Sequence, residues 1–349
     1  MKYTFIFLLN LIFITTYSQD IKVKSKYANT ARKMDSEQVL QTIAFGSCNN
    51  QNKNQEIWKD IVKNRPELWI WLGDNIYADT KNQKLMAEKY TKQKNDSFYR
   101  RLLACAMVVG IWDDHDYGAN DAGKEFTMKK QSKRLLLDFL DVPKNAPSRY
   151  REGAYQAYTF GKPGKKVKII LLDARYFRDE LITINLENQK YKINEEGDIL
   201  GEKQWKWLEK ELTKSDAQIN LIASGIQMIP EEHAYEKWAN YPKARKRLFH
   251  LLQKTKPAMP ILMSGDRHIA ELSKAEVGGL ENPVYEITAS GLTHSWSTKN
   301  EEANMYRVGK MVIEKNFGVM KIDWSGATPS VSIEVRGLGN ELFLHEELK

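Results

Sequence analysis

The chain has 349 residues, 42% of them hydrophobic and 11% aromatic, with a formal charge of +8. That is enough apolar material for one large domain or two small ones with a substantial core, and with only two cysteines, Cys48 and Cys105, it excludes a disulfide scaffold. The basic residues are scattered through "KKQSKR", "GKPGKKVK" and "YPKARKR" rather than gathered in one tract; they read as solvated faces, or as a basic mouth that draws in anionic substrates, and give no specific nucleic-acid signal.

The chain begins "MKYTFIFLLNLIFITTYSQD": a lysine, an apolar run, then small and polar residues around Thr16 and Ser18. That order is the pattern of a secretory signal peptide, and the run is short for a membrane span. The expectation is cleavage near Ser18 or Gln19, leaving a signal segment 1–19 and an exported (periplasmic, cell-surface or secreted) chain 20–349; an uncleaved anchor is the alternative. No cysteine follows the run before Cys48, so a lipid-anchored cleavage site is not indicated, and no later stretch has membrane length.

"VLQTIAFGSCNN" reads as a strand ending in a Gly-Ser turn, and "NQEIWKDIVKNRPE" as an amphipathic helix stopped by Pro66. "LWIWLGDNIYAD" is a second apolar strand running into a Gly-Asp turn. Helical segments around 83–104 lead to a third, "CAMVVGIWDDHD". "KVKIILLDARYFRD", "AQINLIASGIQMIP" and "AMPILMSGDRHIAEL" are the fourth to sixth, alternating with helical stretches at 124–140, 202–213 and 242–254. Short continuous apolar runs between helices predict buried strands of an α/β sheet, whose carboxyl-end loops converge on one crevice. The tail differs: a hairpin over about 311–336 is signalled by two alternating runs joined at Gly326 and Pro329. No repeat or long linker interrupts the chain, so residues 20–349 read as one domain with a β-rich end.

At the strand ends stand Cys48, Asp74, Tyr77, Asp113, Asp114, His115, Asp116, Gln227, Asp266 and His268. Singly, each has a bland reading, because Asp caps helices and Gly-Asp pairs make turns. Together they would crowd like charges into one crevice at a cost in hydration and repulsion that only cations offset. Thiolate, phenolate and imidazole suit a transition metal such as iron, whereas carboxylate and amide oxygens suit Ca, Mg or Mn; two unlike metals sharing a carboxylate are therefore expected.

The ordered motifs "GSC", "GDNIYAD", "WDDHD", "SGIQ" and "GDRH", spread over Ile43 to Gly291, resemble the alkaline phosphatase D family of calcineurin-like metallophosphoesterases. The resemblance implies an α/β (α+β) fold of two packed mixed β-sheets flanked by helices, a four-layer αββα sandwich. It implies that Cys48, Asp74, Tyr77 and His268 hold ferric iron, with Asp74 bridging. Asp114, Gln227 and Asp266 would then serve a second metal, calcium, with Mg or Mn as alternatives. His115 would be the catalytic imidazole, and Asp114 and Arg267 would complete the catalytic set. Arg175, Arg267 and His294 are the candidates for phosphate oxygens. The activity so implied is a secreted two-metal phosphoesterase acting on organic phosphate mono- or diesters by metal-bound hydroxide attack, with His115 stabilising the transition state or leaving group. A phosphodiesterase or phospholipase-type enzyme on a polymeric or lipid phosphate, and a non-catalytic metal-dependent phosphate binder, are the alternatives. The natural partner would be a small phosphoester or an anionic polymer.

Blander roles stand beside these. Cys48 and Cys105 would make at most one disulfide, and Cys105, in "RLLACAMVV", fits a small buried hydrophobe better. One of Asp113 and Asp116 is expected to cap the following turn or to support His115. Arg175 has a strand-end ion pair as its plain alternative, and His294 a purely structural place. His233, His250 and His345 carry no motif, and most tryptophans sit at core spacing rather than on a sugar platform. The short stretch between signal and first strand departs from longer family members, which carry an N-terminal β-domain.

Overall fold

The computed structural model describes residues 21–25, 32–186, 189–296 and 302–348; the expected signal segment 1–19 lies outside the described residues. The apolar runs become short strands because both of their faces are covered. In chain order the first part reads β1 (Thr42–Gly46), α1 (Ile57–Lys63), β2 (Leu68–Leu72), α2 (Gln83–Lys94), α3 (Tyr99–Cys105), β3 (Met107–Ile111), α4 (Asp114–Tyr117), α5 (Lys129–Phe139) and α6 (Pro147–Tyr150). The middle is β4 (Gln156–Phe160), β5 (Val167–Leu171), β6 (Thr183–Leu186), β7 (Gln189–Tyr191), α7 (Gly201–Thr213), β8 (Ile219–Ala223), α8 (Pro242–Thr255) and β9 (Pro260–Ser264). The last part is strand apart from a 3-10 turn at Leu338–Asn340: β10 (Ala270–Ala275), β11 (Val284–Ala289), β12 (Arg307–Val312), β13 (Asn316–Asp323), β14 (Ser330–Gly337) and β15 (Leu342–Leu348).

These strands form two large mixed sheets, ordered β15-β14-β13-β1-β2-β3 and β12-β10-β11-β9-β8-β5-β4, with β6-β7 as a separate hairpin. Pleating divides the second sheet between two cores. Ile169, Leu171, Leu221, Ile261 and Met263 share one core with the first sheet. Their neighbours Ile170, Leu172, Ile222 and Leu262 pack instead with Trp205 and Leu208 of α7 and Leu248 and Leu252 of α8. On the far face of the first sheet, Trp58 of α1 lies edge-on to Trp69 and Trp71 of β2 at 4.9 and 5.2 Å. Helix, sheet, sheet and helix thus form the four layers, and these tryptophans are core.

Two expectations need adjustment. The helical stretch around 83–104 divides in two, because the Asp96 carboxylate accepts the N–H groups of Phe98 and Tyr99 at 2.9 Å each and starts a new helix. The stretch at 124–140 becomes helical only from Lys129. The tail hairpin forms as β13-β14, and β13 pairs antiparallel with β1 (Thr42 opposite Lys321), so the β-rich end extends the first sheet.

Candidate functional site

The two sheets aim their parallel strands at one place. β1, β2 and β3 run parallel in the first sheet, and β5, β8, β9 and β11 in the second. The loops leaving their carboxyl ends carry Cys48, Asp74, Asp113–Asp116, Arg175, Gln227, Asp266–His268 and His294. Backbone hydrogen bonds knit the loops together: Asn49 N–H to the Asp74 carbonyl at 2.9 Å and Gly265 N–H to the Gly225 carbonyl at 2.9 Å. Four of the predicted ligands, Cys48, Asp74, Asp266 and His268, sit at φ of 59°, 48°, 67° and 55°. Left-handed backbone at four non-glycine residues costs stability, and such strain gathers where a site needs a particular aim of side chains.

That aim produces three overlapping donor groups, each with ligand atoms within 4.8 Å of one another: Cys48, Asp74 and His268; Asp74, Asp114 and His115; and Asp113, Asp114 and Asp266. Asp74 and Asp114 each belong to two groups. Tyr77 joins the first, its hydroxyl 2.9 Å from His268 Nε2 and 3.3 Å from Asp74 Oδ2, while Cys48 Sγ is 3.5 Å from that same oxygen. The soft donors Cys48, Tyr77 and His268 therefore gather on one side of Asp74 and the carboxylates on the other. Gln227 donates its amide hydrogens to Glu271 Oε1 at 2.7 Å and Thr288 Oγ1 at 2.8 Å. Its Oε1 is left buried with no hydrogen-bond partner among the described residues, as is Asp113 Oδ2. The orphaned Asp113 oxygen within the carboxylate group suits a hard cation, so the carboxylates and the Cys48, Tyr77 and His268 set fit the two expected kinds of metal, whereas Glu271 and Thr288, the hydrogen-bond partners of Gln227, lie outside the three groups.

The electrostatics point the same way. In the protein alone, burial and then the neighbouring Asp74 and Asp266 push the Cys48 thiol well up, and burial with Cys48 and Asp74 does the same to the Tyr77 phenol. Asp74 and Asp266 are also raised well above the ordinary carboxylate range, chiefly by burial. Asp113 reaches about 6 for the same reason, with Arg175 working against it. Asp114 falls to about 2: burial raises it, but Arg175, His115 and the Asp121 N–H outweigh burial. Burial brings His268 down to about 4 and His294 to about 3, so both are neutral imidazoles with a lone pair to offer. Only cations would let this whole set of buried acids ionise together.

His115 stands at the edge of the cluster. Its Nδ1 is 2.7 Å from Asp79 Oδ1 and its ring packs on Tyr77 at 4.1 Å between centroids. Burial lowers its pKa, but Asp74, Asp79 and Asp114 outweigh that and raise it to about 11. Asp79 was not foreseen as a partner, although it closes the "GDNIYAD" motif and has a left-handed φ of 44°.

The remaining predicted residues sort as follows. Asp113 is the N-cap residue of α4 and Asp116, at its third position, completes a capping box: Asp116 Oδ1 accepts the Asp113 N–H at 2.7 Å, and Oδ2 accepts from Asn75 Nδ2 at 2.5 Å and the Tyr90 hydroxyl at 3.2 Å. Asp113 faces the cluster. Arg175 makes the expected ion pair: fully buried, it gives Nε to Asp113 Oδ1 at 2.7 Å and Nη1 to Glu236 Oε2 at 2.6 Å, and its Nη2 is left without a hydrogen-bond partner among the described residues. Arg267 is buried as well, engaged by Glu302 and lying 4.4 Å over the Tyr235 ring. His294 does reach the cluster, 4.4 Å from the His268 ring and 4.9 Å from that of Tyr77. Cys48 and Cys105 are both free thiols. Sequence reasoning also missed Glu236, which receives Arg175 and, at 2.8 Å, Arg178. It missed Asp121 too, whose N–H binds Asp114 Oδ2 at 2.7 Å. Neither carries a motif; both are set by tertiary pairing.

Alkaline phosphatase D of Bacillus subtilis (strain 168) is 21% identical over 276 residues, covering 68% of this chain and 47% of that protein, so the chain spans about half the length of this curated relative. A solved structure described as "Structure of PhoD" superposes with a TM-score of 0.70 at 16% identity, covering 91% of this chain and 70% of that one. "GAP50 the anchor in the inner membrane complex of Plasmodium" follows with a TM-score of 0.55 at 13% identity, covering 89% of each chain. These two likenesses are of fold. The family model for PhoD-like phosphatases matches residues 43–328, from the strand before Cys48 to the tail hairpin, and the chain belongs to the PhoD-like phosphatase family.

Proposed function

We propose that the chain is a two-metal phosphoesterase that hydrolyses organic phosphate mono- or diesters. The observation that carries this reading is the overlap of the three donor groups through Asp74 and Asp114, with the His115 imidazole in the middle group. Cys48, Asp74, Tyr77 and His268 would hold iron. Asp114, Asp266 and Gln227, with Asp74 shared, would hold a hard divalent ion, calcium by the all-oxygen character of the donors, with Mg or Mn as alternatives. Bound there, two such ions neutralise phosphoryl charge and make water a nucleophile near neutral pH.

The chain's own residues supply the rest. Asp79 fixes the His115 ring through Nδ1, which leaves Nε2 to meet the leaving oxygen, and its charge keeps the imidazole protonated for that task. Asp113 stays beside Asp114 and Asp266 because Arg175 holds it, and Arg175 is held in turn by Glu236. Arg175 and Arg267 thus act on the site through their acidic partners, whereas His294 is the predicted substrate-facing group that stands among the donors. Export of a single domain, residues 20–349, after loss of segment 1–19 completes the reading, and the substrates are small phosphoesters or an anionic polymer.

Elemental analysis of the purified protein beside a Cys48→Ala variant, with turnover of p-nitrophenyl phosphate and bis-p-nitrophenyl phosphate on both, tests the proposal. Iron near one per chain with a hard divalent metal, and loss of iron and turnover together in the variant, is the expected result. Full metal occupancy with tight phosphate binding but no turnover of either ester would replace the enzyme by an anion-binding protein.

A further inference from the structure

The charge argument that asks for cations among the carboxylates asks for an anion elsewhere. A concavity of about 540 Å³ between α5 and the 144–152 segment is lined by Lys130, Lys133, Arg134, Lys144, Arg149 and Arg151, with Glu152 the one acid on its wall. Part of this charge is already engaged. Arg149 pairs with Asp138 at 2.8 Å, Lys133 is buried against the carbonyls of Ser148 and Arg149 at 3.1 and 3.4 Å, and Glu152 is drawn to Lys203 at 2.9 Å. What remains is cationic. Lys130 and Arg134 are exposed, four residues apart on one face of α5, and form no ion pair among the described residues. Across from them Arg151 stacks at 3.8 Å on Tyr155, and its Nε is buried without a hydrogen-bond partner among the described residues. Its Nη2 donates to the Tyr155 carbonyl, so Arg151 adds a partly engaged guanidinium to the facing wall.

We propose that this concavity is a second anion site, apart from the metal donors, that holds a phosphate chain bearing several negative charges. The free cations are spread along the wall. Lys130 and Arg134 stand one helical turn, roughly 6 Å, apart on one wall and Arg151 on the other, and at about 540 Å³ the concavity is several times larger than one phosphate group, so a chain can engage both walls where a single phosphate engages one. Arginine forks and lysine ammoniums both bind phosphate oxygens, and a linear phosphate chain presents them along its length. None of the lining residues is a candidate metal ligand, and the proposal stands whether or not the chain turns over phosphoesters.

The test is titration calorimetry of the whole protein with imidotriphosphate, the P–N–P analogue of tripolyphosphate that resists hydrolysis. Three proteins are compared: the wild type, Lys130→Gln/Arg134→Gln, and Lys162→Gln/Lys165→Gln, which makes the same charge change on the exposed β4–β5 turn. The pocket variant should lose at least tenfold in affinity, while the turn variant should bind like the wild type. Orthophosphate and citrate should each bind the wild type at least tenfold more weakly than the chain. The urea midpoint should be equal in all three proteins, which shows that the pocket variant is folded, and any turnover of p-nitrophenyl phosphate should be equal as well. Unchanged affinity in the pocket variant, an equal loss in the turn variant, or citrate or orthophosphate binding as tightly as the chain would each overturn the proposal.

Discussion

Gly225 is where the fold presses hardest on the site. A Cβ built there would lie 2.1 Å from Asp113 Oδ1 and 2.6 Å from Asp113 Cγ, against ordinary contact at 3.4 Å or more. The shortfall exceeds 1 Å, and Asp113 has nowhere to yield: Arg175 Nε holds the same oxygen at 2.7 Å, and both side chains are fully buried. Gly225→Ala must therefore displace Asp113 from Asp114 and Asp266. Overpacking of this kind costs about 1–3 kcal/mol, and the strain falls on the donor group itself. Gly278→Ala is the matched control, since a Cβ there meets only a flexible side-chain end, Gln253 Nε2, at 3.7 Å. Urea denaturation with elemental analysis should show Gly225→Ala destabilised by that amount and depleted in the divalent metal, iron being less affected. Gly278→Ala should stay within about 0.5 kcal/mol of wild type. Wild-type stability and metal content in Gly225→Ala would refute the view that Asp113 is clamped against the site.

Asp79→Asn keeps the shape of the His115 partner and removes its charge, so kcat for p-nitrophenyl phosphate should fall ~10–100-fold with metal content unchanged; an unaltered kcat, or loss of metal, would sink the positioning role. Lys237 gives a pH signature: its ammonium is tied to the carbonyls of His233 and Tyr235 at 2.5 and 3.2 Å, and burial, with Arg267 adding to it, brings its pKa from 10.5 down to about 8. Between those values the unfolded chain holds a proton that the folded chain has lost, so this residue makes stability rise with pH across that window, by at most about 3 kcal/mol. The difference in urea midpoint between wild type and Lys237→Met should change between pH 8 and 10; a constant difference would refute the assignment.

What the sequence made legible was whatever depends on local order. Five-residue apolar runs such as "LWIWL" and "INLIA" announced buried strands, because a run apolar on both faces has only a sheet interior to occupy. The polar residues following each run were then placed at carboxyl ends by the rule of parallel strands. The half-polar strands β10, "AELSKA", and β12, "RVGKMV", were missed: β12 is an edge strand whose charge meets solvent, and in β10 the charge of buried Glu271 is met by Arg307, distant in sequence. The donors at the strand ends were legible for a similar reason: each sits in a short motif, and crowded charge is visible in one dimension. Partners were not. Asp79 meets His115 from 36 residues away, and Glu236 meets Arg175 from 61 away, across folds of chain that no local pattern encodes.

That division explains why Arg175 and Arg267 were read as substrate groups. An arginine beside a carboxylate cluster looks like a hand for phosphate until the acid that neutralises it is found, and Glu236 and Glu302 lie in loops without any motif. Both guanidinium groups are paired within the protein, Arg175 with Asp113 and Glu236 and Arg267 with Glu302, while Arg175 Nη2 and Arg267 Nε keep no hydrogen-bond partner among the described residues. Cations free to meet an outside anion are those left exposed and without an ion pair among the described residues, as Lys130 and Arg134 are on α5, where the sequence showed only a scattered basic tract. Charge in this chain is thus read twice: once from its position in the sequence, which tells where like charges crowd, and once from its burial, which tells whether the counter-charge comes from within.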